Sequence, residues 1–310
     1  MTNFYCPSIS VVQGIALDHL DRPAVVANQA VWHISDGVES QPCIVPSAEL
    51  VMALRGRLLF RHSFQMVTWE ADDGAGEMPL PVITSAQAIP DLDDPLRFLP
   101  ALLCPLGDVV AETVDLVRQI NSEPLRCIVE RVFLRRDVTE SFWTMPASAR
   151  HHHAVPGGLA VHSLEVAQDL AGQGALNDCE RDLCIAAGLL HDIGKVWSYT
   201  SDMFQTAEAR ATGHELLGLV RLHEELSMLC TEWPEGAYSM RALLSGNTRM
   251  RQDGSMPTAL IARLKAADQR SCEQDRSRRD PAGVWVPKAW AGGAVPVQRL
   301  RSECISNEPF

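Results

Sequence analysis

The 310-residue chain lacks several patterns that mark common protein classes. None of its nine cysteines stands in a CxxC pair, and scattered thiols of this kind are typical of a reducing cytoplasm. Its first residues, "MTNFYCPSIS", lack the basic start and apolar run of a signal peptide. No apolar run approaches the roughly 20 residues that a membrane helix needs. These absences predict a cytoplasmic protein that does not bind membranes.

Two further absences limit the chemistry. The chain has no GxxxxGK[ST] stretch, which excludes an ATP-driven helicase of the P-loop type. It also lacks an excess of positive charge, because 27 Lys and Arg face 39 Asp and Glu, for a net charge of −12. A polyanionic ligand must therefore be held by a local cluster of cations. None of the three tyrosines stands in a context that marks a covalent nucleophile, so water is the expected attacking group.

The pattern of hydrophobic residues divides the chain. Residues 8–70 contain short β-rich runs such as "PAVVANQAVWHI", separated by turn signals, which predicts a small barrel or sandwich. From residue 96 the apolar residues recur at helical spacing. The expected class is α+β, with a β-rich domain at 1–85, a linker at 86–100, a helical domain at 101–280 and an irregular tail at 281–310.

Histidines are concentrated in the helical part, where seven of the ten lie between residues 151 and 223. His162 lies inside the apolar run "GGLAVHSLEV", and "LLHDIGK" ends an apolar helix on His191-Asp192, with Gly194 as its expected C-terminal cap. Asp268 follows Leu264 on the inner face of a later helix. A buried carboxylate is costly unless a positive group faces it, so this set of N and O donors suits a divalent ion.

The strings "MPASARHHHAVPGGLAVHSLEV", "LLHDIGK" and "GHELLG" carry a family resemblance across residues 100–275. They resemble the HD-domain metal-dependent phosphohydrolase superfamily, which has an all-α fold. Two of its branches are most similar. One is the bacterial 3′-to-5′ exoribonucleases that join an OB barrel to an HD domain, and the other is the TraI-like domain of MobH-type conjugative relaxases.

The resemblance implies roles for individual residues. The implied ligands of a divalent ion (manganese, iron, nickel or magnesium) are His162, His191, Asp192 and Asp268, with His214 serving the same or a second ion. Lys195 is implied to face substrate phosphate, and the implied catalytic residues are Lys195, Asp192, His152 and His153. The implied pocket mouth, where His152 and His153 act on phosphate oxygens, comprises His151, His152, His153, Gly157 and Gly158.

One departure from the exoribonuclease branch bears on activity. Where that branch has two adjacent histidines, this chain has Gly246-Asn247 in "ALLSGNTRM". An amide is a poor substitute for imidazole at a transition-metal site, so a second ion and full activity are in question. Asn247 is retained as a candidate substrate-binding residue.

The N-terminal region favours the layout that couples an OB-like domain to an HD domain. "ELVMALRGRLLFRHSFQMVTWE" is typical of two strands around a turn. Arg55, Arg57 and Arg61 are the candidates for contacting the backbone of a single strand. The aromatics near them are candidates for base stacking, although the barrel core is the favoured interpretation of each; they are Trp32, Phe60, Phe64 and Trp69.

Three classes of function stay open from the sequence. The first is a metal-dependent phosphodiesterase of single-stranded RNA or DNA, with 3′-to-5′ exonuclease-like action. The second is a relaxase-like DNA-processing protein with partners in the conjugation machinery. The third is a nucleic-acid or nucleotide-binding module with a degenerate HD site. A homo-oligomer is compatible with all three.

Overall fold

A computed structural model of the chain shows β-strands in the N-terminal part and helices in the rest. The residues described are 10–18, 25–26, 29–37, 40–54, 59–70, 77–88, 94–139, 141–149, 151–200, 202–246 and 257–279. The α+β class predicted from the sequence is confirmed. The predicted tail at 281–310 lies outside the described residues.

The N-terminal part is a six-stranded sheet in the order β1-β5-β6-β4-β3-β2. Strand β1 pairs with β3 as well as with β5, and β4 pairs with β6 in parallel through Ile44 and Val82, whereas the other pairs are antiparallel. The elements are β1 (Ser10–Asp18), β2 (Val25–Val26), β3 (Gln29–Ser35), β4 (Ser40–Val45), α1 (Ala48–Leu54), β5 (Leu59–Glu70) and β6 (Glu77–Ala88).

Side chains that alternate along β3 and β4 supply two apolar clusters. Trp32 and Ile34 pack with Ile83 and with Leu54 of α1, whereas Val31 joins a separate cluster with Ile44 and Leu80. This is the period-2 pattern of a sheet with apolar residues on both faces. Of the aromatics considered for base stacking, Trp32 and Phe64 are buried, so the core interpretation is right for these two. The candidates Arg55 and Arg57, and the side chain of Arg61, lie outside what the structure describes. The first of the two strands predicted in "ELVMALRGRLLFRHSFQMVTWE" is wrong, because Ala48–Leu54 form helix α1, whose apolar residues Leu50, Val51 and Leu54 lie at helical spacing against the sheet.

The part after residue 94 packs around one large apolar core. A single isolated bridge, between Tyr199 and Gln205, is the only β-pairing among its described residues. After two 3₁₀ turns (Pro95–Phe98 and Ala101–Leu103), the helices are α2 (Val109–Arg118), α3 (Glu123–Phe133), α4 (Arg136–Thr139), α5 (Gly158–Ala171), α6 (Asp178–Leu190), α7 (Lys195–Ser198), α8 (Ala207–Thr212), α9 (His214–Arg221), α10 (His223–Glu232), α11 (Pro234–Leu244) and α12 (Thr258–Arg279).

Helices α5 and α6 cross closely because α6 presents a glycine at the contact. A Cβ atom at Gly188 would lie 2.6 Å from the Cα of Ala167 on α5. The start of α6 is fixed by a capping box, in which Asn177 accepts from the Glu180 backbone N–H and Glu180 accepts from that of Asn177. The two helices therefore meet at a defined position, which matters because each of them carries part of the cluster described below.

The prediction that Gly194 forms the C-terminal cap of α6 is wrong. Its φ is −61°, an ordinary right-handed value, and α6 has already ended at Leu190. Gly194 serves close packing instead, since a Cβ there would lie 1.9 Å from the carbonyl oxygen of His214. The glycine thus allows the first turn of α9 to approach the segment that follows α6.

The segment predicted as a linker connects the two parts. Strand β6 continues to Ala88, and Leu96, Phe98 and Leu99 are buried in the helical core. The guanidinium of Arg136 lies 4.1 Å from the ring centroid of Trp32, which links α4 to the sheet. The exact domain boundaries stay predictions. Among the described residues, no helix is both long and apolar enough to cross a membrane.

The α5–α6 contact yields a stability prediction. Gly188→Ala should lower the free energy of unfolding by about 1–3 kcal/mol, because the added methyl group meets backbone rather than a movable side chain. Gly174→Ala is the matched control, since nothing lies within 4 Å of its added Cβ. Urea unfolding followed by circular dichroism measures both. Equal effects of the two substitutions would contradict the packing argument.

Candidate metal centre

Four side chains predicted as metal ligands lie together at the meeting point of α5, α6 and α12. The Nε2 atom of His162 is 3.1 Å from Asp268 Oδ1 and 3.5 Å from Asp192 Oδ2. The Nε2 atom of His191 is 3.3 Å from His162 Nε2 and 3.5 Å from Asp192 Oδ2. Donor atoms from three helices, distant in sequence, therefore surround one small volume.

Each donor is placed by its helix. His162 is fully buried on the inner face of α5, His191 and Asp192 follow the last turn of α6, and Asp268 projects from the middle of α12. His214, which the resemblance implies as a ligand of the same or a second ion, is the first residue of α9, and its Nε2 is 3.0 Å from Asp192 Oδ1. His214 thus contacts the oxygen of Asp192 opposite the one that faces His162.

Hydrogen bonds on the far side of both histidine rings fix their orientation. Ser271 donates to Glu165 Oε2 at 2.7 Å, so its Oγ accepts from His162 Nδ1 at 2.9 Å. His191 Nδ1 donates to the carbonyl oxygen of Gly188 at 2.8 Å. Both rings consequently direct Nε2 at the cluster, the arrangement expected of metal-binding histidines.

Burial and pairing set the charge of Asp192. Its removal from water opposes ionisation, but Lys195 Nζ lies 2.5 Å from Oδ2 and, together with hydrogen bonds from His162 and His214, holds the pKa of Asp192 well below its ordinary value. Burial likewise opposes the charge on Lys195, and Asp192 raises the pKa of that ammonium group. Both side chains are therefore ionised at neutral pH.

The two ring ligands differ in their protonation. Burial lowers the pKa of His191, which keeps that imidazole neutral. Burial acts on His162 in the same direction, but the carboxylates of Asp192 and Asp268 outweigh it and raise the pKa to about 9. Without an ion, a proton on His162 offsets the negative charge of the two carboxylates. A divalent cation that binds here would displace this proton and offset the charge instead.

The donor set fits a divalent ion. The ligand atoms of His162, His191 and Asp268 lie within 4.8 Å of one another, and two imidazoles with carboxylates are a common set for zinc, iron, manganese or nickel. The residues that would hold the ion are therefore His162, His191, Asp192 and Asp268.

The cluster opens into a cleft of about 740 Å³. His151 is exposed there, and His152 and Lys195 also reach the wall. Three residues of α12 that the sequence analysis did not select extend the same wall. They are Lys265, Gln269 and Arg276.

In the predicted loop at 151–158, some side chains face the cleft and others face the protein interior. His153 is buried and donates from Nε2 to Glu165 at 3.1 Å, so its ring faces α5. Gly157 has φ +81° where α5 begins, and a Cβ at Gly158 would lie 2.0 Å from the His153 carbonyl oxygen. These glycines let the loop fold tightly over the start of α5.

The position that departs from the exoribonuclease pattern is shaped for glycine. Gly246 has φ +62°, and a Cβ there would lie 3.2 Å from Glu215 Cγ. A histidine in this backbone conformation would be strained. Asn247 lies outside the described residues.

The sequence analysis did not select Glu165, Ser271 or Cys272, although their spacing from the predicted ligands indicates that they lie near the metal centre. Glu165 lies three residues after His162, and Ser271 and Cys272 lie three and four residues after Asp268. Residues three and four apart share a helix face. A residue three or four positions after a predicted ligand on the same helix is therefore expected to lie beside the metal centre.

This geometry defines a helical protein with a His/Asp centre suited to a divalent ion. Residues 159–269 match the family model of the HD domain, and this match supports the HD-domain superfamily for that segment. HD domains bind divalent metals and are generally metal-dependent hydrolases. No curated protein matches the chain, and no solved structure does.

The orientation of His162 can be tested through Ser271. Ser271→Ala removes the acceptor for His162 Nδ1, so we expect the affinity for Mn²⁺ to fall about 10–100-fold. Ser277→Ala is the control, because the one hydrogen bond of this exposed serine of α12 within the described residues is to the Glu273 carbonyl oxygen. Competition with a fluorescent chelator measures both affinities. An unchanged affinity in Ser271→Ala would show that this hydrogen bond does not support the centre.

Proposed function

We propose that the protein is a metal-dependent phosphodiesterase that hydrolyses single-stranded nucleic acid, in the 3′-to-5′ direction. The observation that carries the proposal is the composition of the cleft. Metal donors lie at its base, and Lys265, Arg276 and His151 lie on its wall. A chain with a net charge of −12 places cations beside a metal centre where they serve an anionic ligand.

The arginine of the cleft differs from the other four arginines on α12, all of which have partners. Arg263 donates to Gln173 Oε1 and to the Gly174 carbonyl oxygen, and the other three pair with carboxylates. Arg270 pairs with Asp169, Arg278 with Glu165, and Arg279 with Asp275. Arg276 is exposed on the cleft wall and has no carboxylate partner within the described part of the chain. Its charge is therefore available to a ligand phosphate.

Spacing along α12 supports a substrate with more than one phosphate. Arg276 lies eight residues after Asp268, which corresponds to about 12 Å along the helix axis. Lys265 lies three residues before Asp268, on its other side. A sugar-phosphate backbone along this wall would place one phosphate at the metal centre and the neighbouring phosphates near Lys265 and Arg276.

The protein's own residues supply binding and charge compensation. A bound divalent ion supplies Lewis acidity and activates water for attack on phosphorus. Lys195 holds Asp192 ionised and places a positive charge beside the reacting phosphoryl group, which favours charge developing on its oxygens. Burial lowers the pKa of His152 to about 4, so at neutral pH this ring is neutral.

We also propose that the N-terminal sheet is of the OB type and binds the single strand. Its support is the pairing of β1 with β3, β3 with β4, β4 with β6, β6 with β5, and β5 with β1. Helix α1 lies between β4 and β5 in the chain. Five strands in Greek-key order are typical of OB folds, which often bind single strands.

The central test is hydrolysis of labelled single-stranded RNA and DNA with Mn²⁺. We expect products shortened from the 3′ end, and a block at the 3′ terminus should prevent them. Asp192→Ala should abolish both metal binding and hydrolysis, because it removes a ligand and the partner of Lys195. Asp202→Ala, an exposed aspartate, should leave both unchanged.

Other results would point to the alternative functions. A metal-loaded wild type that binds single strands without cutting them would contradict the enzyme and favour a binding module. Cleavage confined to one specific DNA sequence would contradict the exonuclease and favour relaxase-like processing.

The contribution of Arg276 can be measured without hydrolysis. Arg276→Ala should weaken binding of a phosphorothioate single strand about tenfold, with little dependence on base sequence. The slope of log affinity against log salt should fall in magnitude by about 0.7, as expected for one lost phosphate contact. Arg270→Ala, which removes a paired arginine of the same helix, should change neither quantity. Equal losses in both variants would contradict a specific role for Arg276.

A further inference from the structure

A second group of donor atoms lies against the metal centre and contains sulfur. Donor atoms of His152, His162 and Cys272 lie within 4.8 Å of one another. Since His162 Nδ1 is bonded to Ser271, Nε2 is the donor atom that remains on this ring. The carboxylate-containing set (His162, His191 and Asp268) and this sulfur-containing set therefore meet at one nitrogen.

Cys272 is directed at the centre by its position on α12. It lies one helical turn after Asp268, and its Sγ is 3.8 Å from Asp268 Oδ1. The side chain is 7% exposed and lines the base of the cleft. Residues four apart share a helix face, so the position that aims Asp268 at the ion also aims this thiol.

His152 supplies an independent observation. Its Nε2 is buried and has no hydrogen-bond partner in the described part of the chain. The His152 ring centroid lies 5.0 Å from that of His162. Leaving a buried polar atom unpaired is unfavourable, and a ligand at this position would remove that cost. The neutral form of His152 is the one that coordinates metals.

We propose that His152, His162 and Cys272 form a thiolate-containing site that selects a thiophilic divalent ion, zinc above all, over manganese and magnesium. Tetrahedral zinc with bonds of about 2.0–2.3 Å needs donors about 3.3–3.8 Å apart, so the three side chains need to draw together by at most about 1–1.5 Å. Because His162 belongs to both sets, an ion in this site excludes one in the carboxylate-containing set. Soft thiolate ligands favour zinc, whereas Mg²⁺ and Mn²⁺ prefer oxygen.

The test uses cobalt as a spectroscopic substitute for zinc. The wild-type protein loaded with Co²⁺ should show thiolate-to-cobalt charge-transfer absorption in the near ultraviolet. Cys272→Ser should abolish this band and lower the ratio of zinc to manganese affinity about tenfold or more. Cys184→Ser, which alters a buried cysteine of α6, is the control and should keep both. His152→Ala should lower the same affinity ratio, whereas His151→Ala at the exposed neighbour should not.

X-ray absorption of the zinc-loaded wild type gives a result that needs no variant. We expect a sulfur neighbour at about 2.3 Å beside nitrogen neighbours at about 2.0–2.1 Å. A zinc shell of nitrogen and oxygen alone, or a cobalt band that survives in Cys272→Ser, would overturn the proposal. Neither measurement depends on hydrolysis, so the two proposals can fail separately. Zinc–sulfur coordination in the zinc-loaded protein, together with no hydrolysis by the Mn²⁺-loaded protein, would contradict the proposed function and leave this site intact.

Discussion

The buried carboxylate of Asp192 is the charge on which the helical part depends. Removing such an ion from water costs several kcal/mol unless charged and polar groups surround it. Lys195, His162, His191 and His214 all lie within 3.5 Å of its oxygens, and they come from three different helices and the turn after α6. The close contacts elsewhere serve this arrangement. Gly188 lets α5 and α6 approach, which brings His162 to Asp192, and Gly194 admits the start of α9, which carries His214.

Helix α12 contributes residues both to this charged cluster and to the wall of the open cleft beside it. It contributes Asp268 at the base of the cleft, Ser271 behind His162, Cys272 one turn further on, and Lys265 and Arg276 on the wall. One helix face thus supplies a hard donor, a soft donor, an orienting hydroxyl group and two cations. The same cleft can therefore hold an ion at its base and a polyanion along its length, which is the physical basis of the proposed activity.

The residues predicted from the sequence are those whose roles follow from local pattern. His162, His191-Asp192 and Asp268 each interrupt or end an apolar stripe, and the short β-rich run "PAVVANQAVWHI" predicts the strand that contains Trp32. The sequence could not predict contacts between distant helices. Ser271 orients His162 across 109 positions, and His153 faces Glu165 rather than the cleft. Gly194 was misassigned for the same reason, because its role depends on where α9 packs.

The central claim, that these side chains hold a divalent ion, is tested most directly by anomalous diffraction from crystals soaked in Mn²⁺. We expect one strong anomalous-difference peak within about 2.5 Å of His162 Nε2, with His191 and an oxygen of Asp192 or Asp268 also in the coordination shell. A map without a peak at this position, with Asp192 still bound to Lys195 and the histidines, would contradict it. The cluster would then be a structural ion-pair network rather than a metal centre.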